Sequence, residues 1–181
     1  GHKRNITDDM LRALAAKDGV VMINYNCGFL DDDYGKNASG RDATRRIQEK
    51  SAREKFAKGS PELQNALAKL DERFPPVARP PLSRLIAHIL HALEVGGADH
   101  VGLGSDFDGV PCVPEGIDDA TYLPRITYEL LAAGQSEATV KKVLGENLLR
   151  VFAAVEDKAF ALRGEAPFMN AGAADFAPIA R

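Results

Sequence analysis

Two aspartates, Asp106 and Asp108, directly follow a short apolar segment in the sequence HVGLGSDFDGV, residues 100–110. Glycines at 102, 104 and 109 would let a ligand or a neighbouring chain segment approach the backbone closely. In parallel α/β proteins the functional site lies at the carboxyl ends of the strands. The pattern therefore indicates a functional carboxylate at such an end. The alternative is that Asp106 caps a turn and Asp108 begins a tight turn with Gly109.

Arg4 offers a second kind of chemistry, because a guanidinium group can hold a carboxylate through two hydrogen bonds. It lies in the loop before a helix whose N-cap is Thr7. In an α/β protein such a loop follows the carboxyl end of the preceding strand. The alternative is a solvated basic cluster formed with Lys3.

The histidines have no spacing typical of a metal site. His88 and His91 lie three residues apart in the middle of an apolar-striped helix, where hydrogen bonding within the fold is favoured over metal ligation. His100 precedes the second predicted strand, at the end opposite the site. We therefore predict that no metal ligands lie within this chain.

The elements that position these residues alternate between helix and strand, which predicts an α/β protein with parallel strands. Two strands cannot form a stable sheet alone, so the sequence predicts part of a larger barrel or sheet. The predicted elements are a helix at 7–19, a strand at 20–24, a helix from 82 to 96, a strand at 101–104, and helices at 126–133, from 136 and at 148–155.

Residues 31–80 differ from the rest and are predicted to be a helical insertion. They comprise a polar loop over 31–40, a highly charged stretch over 41–58 and a helix that begins after Ser60 and ends before Pro75. The insertion is either a lid over a site or surface decoration. Decoration is favoured because long insertions cost little free energy. Residues 164–181, rich in Ala, Gly and Pro, are predicted to be a loosely ordered tail.

Composition narrows the function classes. The 181 residues suit one soluble domain, and a formal net charge of -3 argues against a nucleic-acid partner. No apolar run approaches the roughly 20 residues needed to span a membrane, and residues 1–12 show no hydrophobic signal segment. Composition favours two free thiols for Cys27 and Cys112 over a disulfide, which would need the two strand ends to meet. The compartment, a bacterial-type cytoplasm or periplasm, stays open.

Four collinear segments together resemble the membrane (renal) dipeptidase family, peptidase family M19. The resemblance covers Lys3 to about Glu156 apart from the insertion, and its most specific part is the Gly-Ser-Asp-Phe-Asp-Gly sequence. The segments are KRNITDDMLRAL, GVVMINYN, HVGLGSDFDGV and ENLLRVFAAVE.

This resemblance implies that residues 1–163 are the C-terminal part of a (β/α)8 TIM-type barrel that hydrolyses dipeptides, often with a D-residue at the C-terminal position. It implies two zinc ions whose ligands lie upstream of Arg4, so the chain alone should be inactive. Asp106 matches the family's catalytic aspartate and, like Arg4 and Phe29, would contact the substrate; Arg4 matches the arginine that binds the substrate carboxylate. Phe29 stands where some members have a tyrosine and offers only packing. We also expect a homo-oligomer.

Two other functions stay open from the sequence. One is a different metal-dependent amide hydrolase on the same barrel, acting on a small amide or lactam. The other is a non-catalytic assembly subunit that has lost its metal.

Overall fold

Residues 2–163 are described in a computed structural model of the chain. Within them the order of helices and strands follows the predicted α/β alternation. The strands are Val21–Ile23 (β1) and Val101–Leu103 (β2). The helices are Asp8–Ala15 (α1), Cys27–Leu30 (α2), Asp32–Lys55 (α3), Pro61–Arg73 (α4), Leu82–Gly96 (α5), Leu123–Ala132 (α6), Glu137–Lys141 (α7) and Asn147–Ala161 (α8).

The two strands are parallel neighbours, with Val21 opposite Val101, Met22 opposite Gly102 and Ile23 opposite Leu103. The valines, Ile23 and Leu103 belong to or pack against the hydrophobic core, so this face of the sheet meets the helices. Successive side chains alternate between faces, which places Met22 on the other face. Both predicted strands are confirmed, with shorter bounds.

Gly102 in β2 and Gly104 directly after it make room for Met22. A Cβ atom at residue 104 would lie 2.8 Å from the Cβ of Met22, and one at residue 102 would lie 2.6 Å from its Sδ. Real Cβ atoms do not approach other atoms this closely, so a side chain at 104 would push the two strands apart. The glycines therefore permit the close pairing of β1 with β2.

Helix α1 begins as predicted, because the Thr7 hydroxyl oxygen accepts a hydrogen bond from the Met10 N–H at 3.3 Å. Its predicted end at Gly19 is wrong. The helix ends at Ala15, and Asp18, with φ of 55°, takes the left-handed conformation that a glycine was expected to supply. Asp and Asn tolerate this conformation better than most side chains do.

The polar loop predicted over 31–40 is also wrong, because α3 begins there and runs unbroken to Lys55. The Asp31 carboxylate accepts a hydrogen bond from the Tyr34 N–H at 2.9 Å and so caps the helix. Glu49 accepts bonds from Arg45 and Arg53, each one turn away. The bond from Arg53 lowers the pKa of Glu49. These contacts stabilise α3, which buries none of its residues. Because α3 has no apolar stripe, the sequence pattern did not predict it as a helix.

The insertion formed by α3 and α4 lies beside the loops that follow the strands. A Cβ at Gly35 of α3 would lie 3.2 Å from the carbonyl oxygen of Gly28 in α2, so the two helices approach closely. Tyr34 and Arg41 line a cavity of about 410 Å³ together with Phe107, which follows Asp106. The insertion therefore adjoins the predicted site, and a lid and surface decoration stay as alternatives.

A polar cluster ties α8 to the amino ends of both strands. Asn147, the first residue of α8, is 2% exposed, and its Nδ2 donates to the carbonyl oxygens of Ala98 and Val101 at 2.8 Å. The Arg150 guanidinium donates to the carbonyl oxygens of Asp18 at 2.9 Å and Asp99 at 2.7 Å. The helical path kinks at Gly145, between α7 and α8.

Replacing Asn147 with leucine is expected to lower the free energy of unfolding by about 1–3 kcal/mol, because two carbonyl oxygens would be left without their buried donor. Urea denaturation of the intact protein measures this change. Leu149→Ala on the same helix is the matched control, since Leu149 is 67% exposed and its loss should change the midpoint little. Equal midpoints for Asn147→Leu and the parent protein would contradict the assigned role.

The tail predicted over 164–181 lies outside the described residues. Within 2–163, no helix combines the length and apolarity needed to cross a membrane.

Candidate functional site

Asp106 lies just past the carboxyl end of β2, where the sequence pattern predicts it. Its Oδ2 atom accepts a hydrogen bond of 2.9 Å from the Nδ2 of Asn24, which lies just past the carboxyl end of β1. The two residues are 82 positions apart in the chain and meet because the strands are parallel neighbours. The carboxyl edge of the sheet therefore brings an acid and an amide together.

The backbone around Asp106 holds an uncommon conformation. Asp106 has φ of 63°, in the left-handed region, which costs a residue with a Cβ about 1–2 kcal/mol. Its carbonyl oxygen accepts hydrogen bonds from the N–H groups of Gly109 at 3.0 Å and Val110 at 3.2 Å, which close a tight turn. Strained conformations of this kind cluster at functional sites.

The Asp106 carboxylate leaves no room for a side chain at residue 109, which is a glycine. A Cβ at residue 109 would overlap the Oδ1 atom of Asp106. The turn foreseen in the alternative interpretation is thus present at 106–110, but the side chain of Asp106 bonds to Asn24 of the neighbouring strand. The Asp106 and Asp108 side chains are both exposed.

Arg4 and Phe29 lie against each other. The guanidinium carbon of Arg4 is 4.8 Å from the centre of the Phe29 ring, and the centres of the His2 and Phe29 rings are 4.6 Å apart. The Asn5 side chain donates to the Phe29 carbonyl oxygen at 2.8 Å, which fastens the segment before α1 onto α2. The structure therefore brings together two of the three predicted substrate residues.

A cavity of about 450 Å³ runs along β1 and is lined by Arg4, Phe29 and Asn24, among others. Thr7, Asp8 and His91 also line it. Within residues 2–163, Asp106 is not among the lining residues, but it bonds directly to Asn24, which is. Asn24 is thus the link between the predicted substrate residues and the predicted catalytic residue, and the sequence analysis did not single it out.

Cys27 and Cys112 form a disulfide, so the prediction of two free thiols is wrong. Their Cα atoms are 5.6 Å apart, and the Cys27 N–H also donates to the Cys112 carbonyl oxygen at 3.0 Å. Cys27 begins α2 after β1, and Cys112 follows the turn after β2. Parallel neighbouring strands bring these two loops to the same edge, which composition alone could not show. The disulfide fastens together the loops that carry the candidate site.

Tyr25 supports the site from the core side. It is fully buried, its ring lies edge-on to the Phe107 ring at 5.7 Å, and its hydroxyl has no partner among the described residues. Burial raises the pKa of the phenol above its ordinary value of 10.0. Tyr25 and Phe107 directly follow Asn24 and Asp106 in the sequence, so their contact joins the two site-bearing segments to the core.

The histidines make hydrogen bonds within the fold, as predicted. The Nε2 atoms of His88 and His91 lie 3.1 Å from the Leu30 carbonyl oxygen and 2.8 Å from the Asp8 carboxylate, respectively. In the part of the chain that the structure describes, no group of three or more His, Cys, Asp or Glu side chains could hold a metal ion. These residues alone therefore do not fit a dinuclear zinc centre.

Comparison with known proteins gives consistent matches. A family model described as Membrane dipeptidase (Peptidase family M19) matches residues 1–165. Dipeptidase ataJ of Aspergillus terreus is 45% identical over 156 residues, which make up 86% of this chain and 28% of that protein. Dipeptidase tcpJ of Claviceps purpurea is 38% identical over 89 residues, 49% of this chain and 21% of that protein.

Several solved structures resemble the chain in three dimensions. One of them is a metallopeptidase from Rhodobacter sphaeroides, liganded with a phosphinate mimic of the dipeptide L-Ala-D-Ala. It is 26% identical, has a TM-score of 0.53, and the match covers 80% of this chain and 30% of that one. The chain thus spans less than a third of the length of each of these three proteins.

Proposed function

The chain belongs to the membrane dipeptidase family, peptidase family M19, and from this premise we propose that it serves in the metal-dependent hydrolysis of dipeptides. In this proposal residues 1–163 supply the C-terminal part of a (β/α)8 barrel. The main support for this proposal is the position of Asp106. It lies at the carboxyl end of β2 and accepts a hydrogen bond from Asn24, at the carboxyl end of the parallel neighbouring strand β1. Catalytic groups of such barrels stand at this edge.

The substrate class is proposed from the relatives. Two of them are named dipeptidases, and the Rhodobacter sphaeroides metallopeptidase was crystallised with a mimic of a dipeptide that ends in a D-residue. Small dipeptides, including those with a C-terminal D-residue, are therefore the substrates to try first.

Two zinc ions are proposed as cofactors, held by residues outside this chain, because the described residues provide no cluster of ligands for them. Zinc ions of such hydrolases polarise the scissile carbonyl. The chain alone is accordingly expected to be inactive.

The residues of this chain would act on the proton and on the substrate carboxylate. Asp106 takes a proton from the attacking water and delivers it to the leaving nitrogen as the C–N bond breaks, so that two amino acids are released. Arg4 binds the free carboxylate of the dipeptide, and Phe29 packs against the Arg4 guanidinium, which limits its freedom.

Hydrolysis assays with the intact protein test this function. A panel of L-Xaa-L-Xaa and L-Xaa-D-Xaa dipeptides is compared with N-acyl amino acids and with small lactams, and metal content is measured on the same preparation. Dipeptide turnover with stoichiometric zinc is expected. Turnover of only the acyl amino acids or lactams would indicate a different amide hydrolase, and a metal-free, inactive protein would indicate an assembly subunit.

Arg4→Ala is expected to raise KM for dipeptides by about 10-fold or more, with a smaller effect on kcat, because a charge-assisted hydrogen bond to the substrate carboxylate is lost. Steady-state kinetics on each dipeptide and its C-terminal amide measure the change. The amides should respond little to the substitution. Lys3→Ala is the matched control for loss of a neighbouring positive charge. A rise in KM of the same size for the amides would contradict the role of Arg4.

A further inference from the structure

The amide of Asn24 has only one possible orientation. Its Oδ1 atom accepts a hydrogen bond of 2.8 Å from the Asn26 N–H, and a backbone N–H can only donate. The Nδ2 atom must therefore face the opposite way, toward Oδ2 of Asp106 at 2.9 Å. The amide is held at one end by its own loop and holds the carboxylate at the other.

The two oxygen atoms of Asp106 have different surroundings. Oδ2 is bonded to Asn24, whereas Oδ1 packs against Gly109, where it takes up the space that a side chain at residue 109 would need. Among residues 2–163, no donor forms a hydrogen bond with Oδ1. Within the described residues, Oδ2 of Asp106 therefore accepts a hydrogen bond and Oδ1 accepts none.

An exposed carboxylate on a short side chain would otherwise rotate between staggered conformers. A bond from a neutral donor to an ionised acceptor is stronger than one between neutral groups, so it can select one of these conformers. General acid–base catalysis needs the carboxylate oxygen within about 2.6–3.2 Å of the proton it transfers. Orientation of Asp106 therefore bears directly on its capacity to transfer a proton.

We propose that Asn24 is a positioning residue for Asp106: it holds Oδ2 so that Oδ1 exchanges the proton with the attacking water and the leaving nitrogen. This inference rests on the proposed dipeptide hydrolysis. Asn24 also lines the cavity with Arg4 and Phe29, so the same side chain relates the substrate residues to the acid. Its contribution is expected in kcat rather than in substrate binding.

Asn24→Asp separates this role from a purely structural one. Aspartate has the same shape and keeps an oxygen that can accept from the Asn26 N–H, but in its ionised form it has no donor for Asp106. If Asn24 only stabilises its loop, this variant should keep its activity. If it positions Asp106, kcat of the intact protein for a dipeptide should fall about 10-fold or more, with KM within about twofold and zinc content unchanged.

Asn26→Asp is the matched control for the added charge. Asn26 lies two residues further along the same loop, and its side-chain oxygen accepts a bond from the Gly28 N–H, which aspartate can also do. This variant should leave kcat unchanged. If Asn24→Asp does not fold, Asn24→Ala takes its place, because it removes the donor without adding a charge. Asn24→Gln keeps an amide donor, so its kcat should lie between that of Asn24→Asp and that of the parent protein.

A double-mutant cycle completes the test. In a protein that already carries Asp106→Asn, Asn24→Asp should cause no further loss of kcat. An active Asn24→Asp protein together with an inactive Asp106→Asn protein would overturn the positioning role and leave the proposed function intact. An Asp106→Asn protein with near-normal turnover would overturn both. Equal falls in kcat and zinc content for Asn24→Asp would show a structural role and overturn the inference.

Discussion

Asp106→Asn in the intact protein is expected to lower kcat for dipeptides by at least about 10²-fold, which is the lower end of what general acid–base catalysis contributes. Asparagine matches aspartate in shape but cannot take a proton from the attacking water. The turn at 106–110 should persist, because its bonds are made by the Asp106 carbonyl oxygen and not by the side chain. Single-turnover and steady-state kinetics on one dipeptide measure the loss.

Asp108→Asn is the matched control for this prediction. Asp108 has the same side chain, lies in the same turn and is likewise exposed, so the variant controls for the loss of one negative charge near the site. It should keep most of the parent's kcat. Zinc content and thermal stability should be the same for the two variants. An Asp106→Asn protein with near-parental kcat would show that another group transfers the proton.

Replacing both Cys27 and Cys112 with alanine is expected to lower the free energy of unfolding by about 2–5 kcal/mol, the usual cost of removing a native disulfide. The bond joins residues 85 positions apart, so in the unfolded chain it closes a long loop and restricts many conformations. Urea unfolding of the intact protein without reductant measures the difference.

Reduction provides the control for the disulfide. A thiol reductant should lower the stability of the parent protein and leave the double-alanine variant unchanged, which separates loss of the bond from loss of packing by the two side chains. Because the bond fastens the loops that carry Asn24 and Asp106, kcat should also fall in the variant. Identical unfolding midpoints for the parent and the variant would contradict the stabilising role.

The sequence pattern predicted those parts of the fold that depend on residues close together in the chain. Thr7 and Ser60 cap the helices that follow them, and the apolar stripe of α5 is buried at Leu85, Ile86 and Ile89. The missed helix α3 has no such stripe, since caps and ion pairs between successive turns support it. The periodicity of apolar residues does not predict a helix of this kind.

The candidate site could be predicted only in part. Asp106 was identified from its place after a strand and from the family resemblance, and its location at the strand end agrees with that. Asn24 and the disulfide both depend on contacts across more than 80 residues, which require β1 to lie parallel to and next to β2. Residue types at a given spacing along the chain contain no information about such a neighbour.

The strand pair is secured at both of its ends. Asn147 and Arg150 bind backbone oxygens at the amino ends, and the disulfide and Asn24 join the carboxyl ends. Changes in α3 and α4 therefore need not alter the spacing between the two strands. Under the proposed function, the insertion beside the site can therefore differ between relatives while Asp106, the group assigned to proton transfer, stays in place.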